Sequence, residues 1–92
     1  MQSERIRQLI EQALPASVRD INGDGVHFEA VIVSDKFTGK NAVQRHQLVY
    51  GALGDRMGRE IHALSMQTLT PEEWERQGGF KILNPADGPH GG

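Results

Sequence analysis

Apolar residues recurring at three- and four-residue steps open the chain: Ile6, Leu9, Ile10, Ala13 and Leu14 make one stripe on a helix that begins near Ser3 and Glu4. Pro15 cannot continue that helix and ends it. Two strand-like runs follow, SVRDI and VHFEAVIV, separated by Asn22, Gly23, Asp24 and Gly25, residue types that tolerate the positive φ of a tight hairpin turn. The pattern predicts two antiparallel strands. SDKFTGKN then reads as a polar connection, and Ala42, Val43, Val49, Tyr50, Leu53 and Met57 mark a helical region interrupted at Gly51 and Gly54 and closed by Gly58. A third strand is predicted over about Glu60 to Thr68. Beyond it, Thr70 as N-cap, Pro71 at the first helical position and Glu73 at the third form a capping box that starts a short helix through Trp74.

This order of helices and strands predicts a small α+β domain over residues 1–77, with helices packed on one face of a three-stranded sheet. From Gly78 the Gly, Pro, Asp and Asn content predicts a flexible C-terminal tail, residues 78–92.

Composition narrows the chemistry. Ninety-two residues supply one modest core, and hence one site on a surface or at a sheet end. With a formal net charge of -2, the chain as a whole does not attract phosphate, so nucleic-acid binding would need a local basic patch. The absence of cysteine removes disulfides, thiol nucleophiles and thiolate metal sites from this chain. Any metal must be held by His, Asp or Glu, or by a partner's sulfur. No segment has the apolar length of a membrane span or a signal peptide, and a cytoplasmic protein is expected. Neither a Ser/His/Asp order, nor a catalytic carboxylate pair, nor a phosphate-loop glycine pattern is found, so the expectation is a protein that is not an enzyme.

Three histidines lie within the predicted domain. His46, between Arg45 and Gln47 on the central helix, is most simply a surface or packing residue. His62 alternates with Ile61 and Ala63 and shares a strand face with Leu64 and Met66, which suits a core histidine whose ring N–H meets a carbonyl. His27 falls on the side of its strand opposite Phe28, Ala30 and Ile32, facing solvent. Taken together, the two strand histidines suggest more. Both stand at a strand start, and a strand–helix–strand connection usually returns the second strand parallel to the first, which would bring both imidazoles to one end of the sheet. A connection that reverses the strand would separate them. Two imidazoles without a third internal ligand form an incomplete metal site.

Lys36, Lys40, Arg45, Arg56 and Arg59 gather around the central helix, but Asp35, Asp55 and Glu60 stand among them, the mixture of a solvated face. The alternative is a nucleic-acid contact through Lys36, Lys40, Arg45 and His46, with the loop 37–41 approaching phosphate. TGKNA is similar to the G-x-x-G clamp of RNA-binding KH domains, with Ala42 in place of the second glycine.

VSDKFTGKNAVQRHQLVYGAL followed by IHALSMQTLTPEEW resembles the BolA family, a likeness that runs from Ile6 to Trp74. It combines FTG, the RH and VY of the central helix, IHAL and the terminal TPEEW, and the short GDGVHF hairpin looks nearest to the IbaG-like subgroup. The resemblance implies a class II KH-like fold with a mixed sheet in the order α-β-β-α-α-β-α. It also implies a heterodimer with a monothiol glutaredoxin around a bridging 2Fe–2S cluster, in iron–sulfur trafficking or iron sensing, from an apo form that is a monomer. By the same resemblance, His62 of IHAL is a cluster ligand and the second ligand is a Cys or His of the hairpin region, where this chain has His27. The glutaredoxin thiolate and glutathione would supply the rest. DNA binding is the competing role that the KH-like fold allows.

Overall fold

The computed structural model describes residues 2–78, so the predicted tail from 79 onward lies outside the described residues. Helix α1 (Ser3–Ala13) buries Ile6 and Ile10 completely. Leu14 is already extended, as the residue before a proline is driven to be. Strand β1 (Ala16–Gly23) pairs antiparallel with β2 (His27–Ser34). The ladder shifts between Val18 and Asp20, leaving Arg19 as an extra residue. Val18 and Ile21 are three positions apart, a spacing that simple alternation would send to opposite faces; the bulge returns both to the core. Helix α1 also covers this edge strand, because Arg7 donates to the Val18 carbonyl oxygen and the Glu11 carboxylate accepts from the Val18 N–H at 2.9 Å.

A short 3-10 turn, Asp35–Phe37, leads to helix α2 (Ala42–Leu53), which a capping box starts: the Asn41 side chain accepts from Gln44 N, and the Gln44 side chain accepts from Asn41 N. The helix runs through Gly51 without a break and stops at Gly54, whose φ of 62° favours a residue without a Cβ. The second member of the central helical pair is a single 3-10 turn, Gly54–Arg56. After it the backbone closes tightly, with the Glu60 and Ile61 amides donating to the Arg56 carbonyl and Gly58 N donating to Ile61 O. That turn occupies the amides of Glu60 and Ile61, so β3 (Ala63–Leu69) begins three residues later than the apolar pattern predicts. Helix α3 (Pro71–Arg76) has the predicted capping box, with Thr70 N donating to Glu73 Oε1 at 2.8 Å and Glu73 N donating to Thr70 Oγ1 at 3.1 Å.

The sheet order is β1-β2-β3, with β2 and β3 parallel. Phe28, Ala30 and Ile32 of the central strand join Ile6 and Ile10 of α1, Val49 and Leu53 of α2, and Phe37 and Ile61 in one core cluster. Val31 and Val33, which alternate to the other face, are buried as well, and α3 lies against β2 and β3. At the start of β2, His27 and Glu29 on that face stay exposed. This is the mixed three-stranded α+β architecture that the sequence predicts, but the helices do not share one face: α1 and α2 cover Phe28, Ala30 and Ile32, whereas α3 lies over the face of Val31 and Val33, reaching Arg19 of β1 with Trp74. One end of the sheet is left open.

Candidate metal centre

The open end is built by two local devices. The hairpin turn is held by Asp24, whose Oδ1 accepts from the amides of Val26 (3.1 Å) and His27 (2.8 Å) while its own N–H donates to His27 O. At Gly23 a Cβ would stand 2.4 Å from Phe28 Cδ1 and 2.5 Å from His27 O, so only glycine lets the turn close against the strand that carries His27. The second device anchors His62. Ile61 is fully buried just before it, and the His62 N–H donates to Val26 O at 2.8 Å, so the histidine is tied to the hairpin one residue ahead of β3.

Because β2 and β3 run parallel with His27 opposite Ala63, the two imidazoles come together, their ring centroids 6.5 Å apart and their planes at 81°. Both residues are exposed. The reading of His62 as a core histidine is thereby corrected: it precedes the strand, and the alternation that buries Leu64 does not extend to it. A shallow cleft of about 430 Å³ lies beside His27, lined by Asp24 and Glu29 on one side and Ala63 and Ser65 on the other. His27 Nδ1 is 3.2 Å from Asp24 Oδ2. The amides of His27 and Val26, and then the His27 ring, hold the Asp24 carboxyl well below the usual carboxylate range, so it remains anionic far into acid.

Two imidazoles bound to one ion at 2.0–2.1 Å place their ring centres about 5 Å apart at a tetrahedral angle, close enough to the observed separation for side-chain rotation to supply the difference. Among the described residues no set of three or more His, Asp or Glu side chains is arranged to hold a metal ion. The donor set therefore suits half of a site, completed from outside the chain.

The basic residues of the alternative reading differ in their exposure. Lys36 and Lys40 are exposed and His46 is half-buried. Arg45 is committed within the fold: it pairs in a fork with Glu73 (2.7 and 3.2 Å), donates to the carbonyls of Thr68 (2.9 Å) and Lys40 (2.8 Å), and stands 6.0 Å from the Phe37 ring centre. With its side chain 13 % exposed, it ties α2 to β3 and α3. Sequence reasoning missed this role. The available signal was Glu73, whose capping carboxylate has an oxygen to spare.

Arg45→Met is expected to cost about 2 kcal/mol, the scale of lost hydrogen bonds to a charged partner. First the Arg45 hydrogen bonds, then the Thr70 amide, lower the Glu73 pKa from its ordinary value. A carboxyl lowered by folding contributes stability above its unfolded pKa and loses it as pH falls through the folded one. The gap between parent and Arg45→Met in urea denaturation should therefore be full at neutral pH and narrow in acid. A gap independent of pH would contradict the assigned pairing.

Comparison with known proteins follows the same lines. The family model described as BolA-like protein matches residues 7–73. A BolA protein homologue from Coxiella burnetii has a solved structure that matches with a TM-score of 0.78 at 48% identity, covering 83% of this chain and 99% of that one. The acid stress protein IbaG of Escherichia coli is 35% identical over 77 residues, 83% of this chain and 92% of its own length. The DNA-binding transcriptional regulator BolA of Escherichia coli is 33% identical over 84 residues, 76% of this chain and 80% of its own length.

Proposed function

This chain belongs to the BolA-like protein family, and from that premise we propose that it shares a bridging 2Fe–2S cluster with a monothiol glutaredoxin and glutathione, His62 and His27 being its two donors. In this reading it works without catalysis, in iron–sulfur cluster trafficking or iron sensing. The observation that carries the reading is the pair of exposed imidazoles 6.5 Å apart at one end of a parallel strand pair, in a chain with no cysteine. Two imidazoles on one iron and two thiolates on the other complete a 2Fe–2S centre. The partner's thiolate and glutathione are the two thiols that this chain lacks.

The test is to mix the purified protein with a monothiol glutaredoxin, iron, sulfide and glutathione and to record visible absorption and circular dichroism. A spectrum of the mixture distinct from that of glutaredoxin alone is expected; an unaltered glutaredoxin spectrum overturns the reading. His27→Cys should retain the cluster but lower its reduction potential, since imidazole ligation raises the potential of such centres. His27→Ala should weaken the shared complex. A spectrum and potential unchanged in both variants would remove His27 from the ligand set.

DNA binding is the second reading, favoured by the name of the Escherichia coli regulator and by the exposed Lys36 and Lys40. A contact through these lysines would weaken steeply with salt as counterions are released. The engagement of Arg45 with Glu73 leaves that surface fewer free cations than the sequence suggests.

A further inference from the structure

Asp24 does more at the open end than close a turn. Its two carboxylate oxygens divide their work: Oδ1 accepts from the backbone amides of Val26 and His27, while Oδ2 lies 3.2 Å from His27 Nδ1. An ionised carboxylate only accepts hydrogen bonds, so this contact is satisfied when Nδ1 of the neutral ring carries the proton. Nε2, on the far side of the five-membered ring, is then left as the bare lone pair. Metal-ligating histidines commonly have such a partner behind the ring, which selects the tautomer and the orientation of the donor nitrogen.

We propose that Asp24 is a positioning residue for His27: by holding the proton on Nδ1, it presents Nε2 as the metal-binding atom beside His62. The inference rests on the cluster reading for the identity of the metal centre, but its structural half, the tautomer of His27, stands without any cluster. His62 needs another restraint, and the hydrogen bond of its own backbone N–H to Val26 O provides one at the main chain. The two donors are thus positioned by different means, one through its ring and one through its backbone.

Asp24→Asn is the informative substitution. The amide oxygen can keep the bonds from Val26 and His27, so the turn is retained, while the amide N–H₂ takes the place of Oδ2 and requires an acceptor at Nδ1. The tautomer should reverse, as an Asp-to-Asn change does to the histidine of a catalytic triad. In the apo protein at mildly alkaline pH, imidazole ¹⁵N chemical shifts should show His27 protonated at Nδ1 in the parent and at Nε2 in Asp24→Asn. A parent protonated at Nε2, or a tautomer that does not respond, overturns the proposal whatever the cluster does.

In the mixture of glutaredoxin, iron, sulfide and glutathione, Asp24→Asn should lower resistance of the shared cluster to a chelator by about 10- to 100-fold. The same change made in His27→Cys should have no such effect, because a thiolate has no tautomer to select. An equal loss in both backgrounds would assign Asp24 to the turn alone and overturn the positioning role. A parent protein that forms no shared cluster overturns the cluster reading instead, and the ¹⁵N shifts then decide what Asp24 does to His27.

Discussion

His62→Ala is expected to abolish the shared cluster while leaving the fold intact. The His62 side chain is exposed, and the backbone bond that ties this position to the hairpin, from its N–H to Val26 O, survives any side-chain change. The neighbouring anchors also remain: Ile61 stays buried and Ala63 stays opposite His27. Exposed substitutions of this kind change stability by about 0.5 kcal/mol or less, which for a domain of this size moves the melting temperature by no more than about 4 °C. Losing one of two imidazole donors, by contrast, leaves a half-site with a single ligand. Far-UV circular dichroism and thermal melting check the first half of the prediction; the spectrum of the glutaredoxin mixture checks the second. Cluster sharing at the parental level would refute the ligand role, and an unfolded variant would return His62 to the core. His46→Ala is the internal control, a half-buried histidine on α2 that should leave the spectrum unchanged.

Phe37→Ala should be the most destabilising of these changes, at about 3–5 kcal/mol. Small domains have about 5–15 kcal/mol in total, so the variant should be largely unfolded in urea concentrations that the parent tolerates. The loss comes from burial. The ring is 0 % exposed within the cluster of α1, α2 and β2. Its position is over-determined by the backbone around it: Ser34 Oγ donates to Pro15 O and accepts from Lys36 N, while Thr38 N and Lys40 N donate to the carbonyls of Asp35 and Phe37. Removing the ring leaves a cavity that this braced turn cannot follow inward, the condition under which large-to-small changes cost most. Phe37→Leu should be milder, because most of the volume remains. Urea midpoints for the two variants test this; a stable Phe37→Ala protein would contradict the burial. Loss of DNA binding in Phe37→Ala would therefore signal unfolding, since its ring is not on the surface of the loop 37–41.

These two residues show where local pattern ends. Helix α1 was legible because its stripe recurs within eleven residues, and its end was legible because a proline constrains the residue before it. The hairpin turn and the capping box of α3 were legible for the same reason: each needs a particular residue type within a few positions of another. Phe37 sits alone in a polar connection, with no periodic neighbour to report that it is buried; only the packing of α1 and α2 over β2 places it. Arg45 reads as a surface cation until α3 brings Glu73, twenty-eight positions later, within 2.7 Å. The bulge at Arg19 is half visible, in the three-residue spacing of Val18 and Ile21, but only pairing with β2 gives that spacing a meaning.

The candidate centre divides in the same way. The sequence by itself narrowed the candidate donors: without cysteine, a metal on this chain would depend on imidazole or carboxylate, and the hairpin and IHAL each carry one histidine. It also determined that each would stand near the start of a strand. Whether those starts meet depends on the direction in which β3 returns, and the sequence left both directions open. The tertiary structure decided it by pairing β3 parallel to β2, with Ala63 opposite His27, and by ending the turn at Ile61 so that His62 falls just outside the ladder, exposed, beside the other ring. The physical reason is range: turn and cap preferences act over three or four residues, whereas the separation of two imidazoles thirty-five positions apart is set by the core that folds the chain between them.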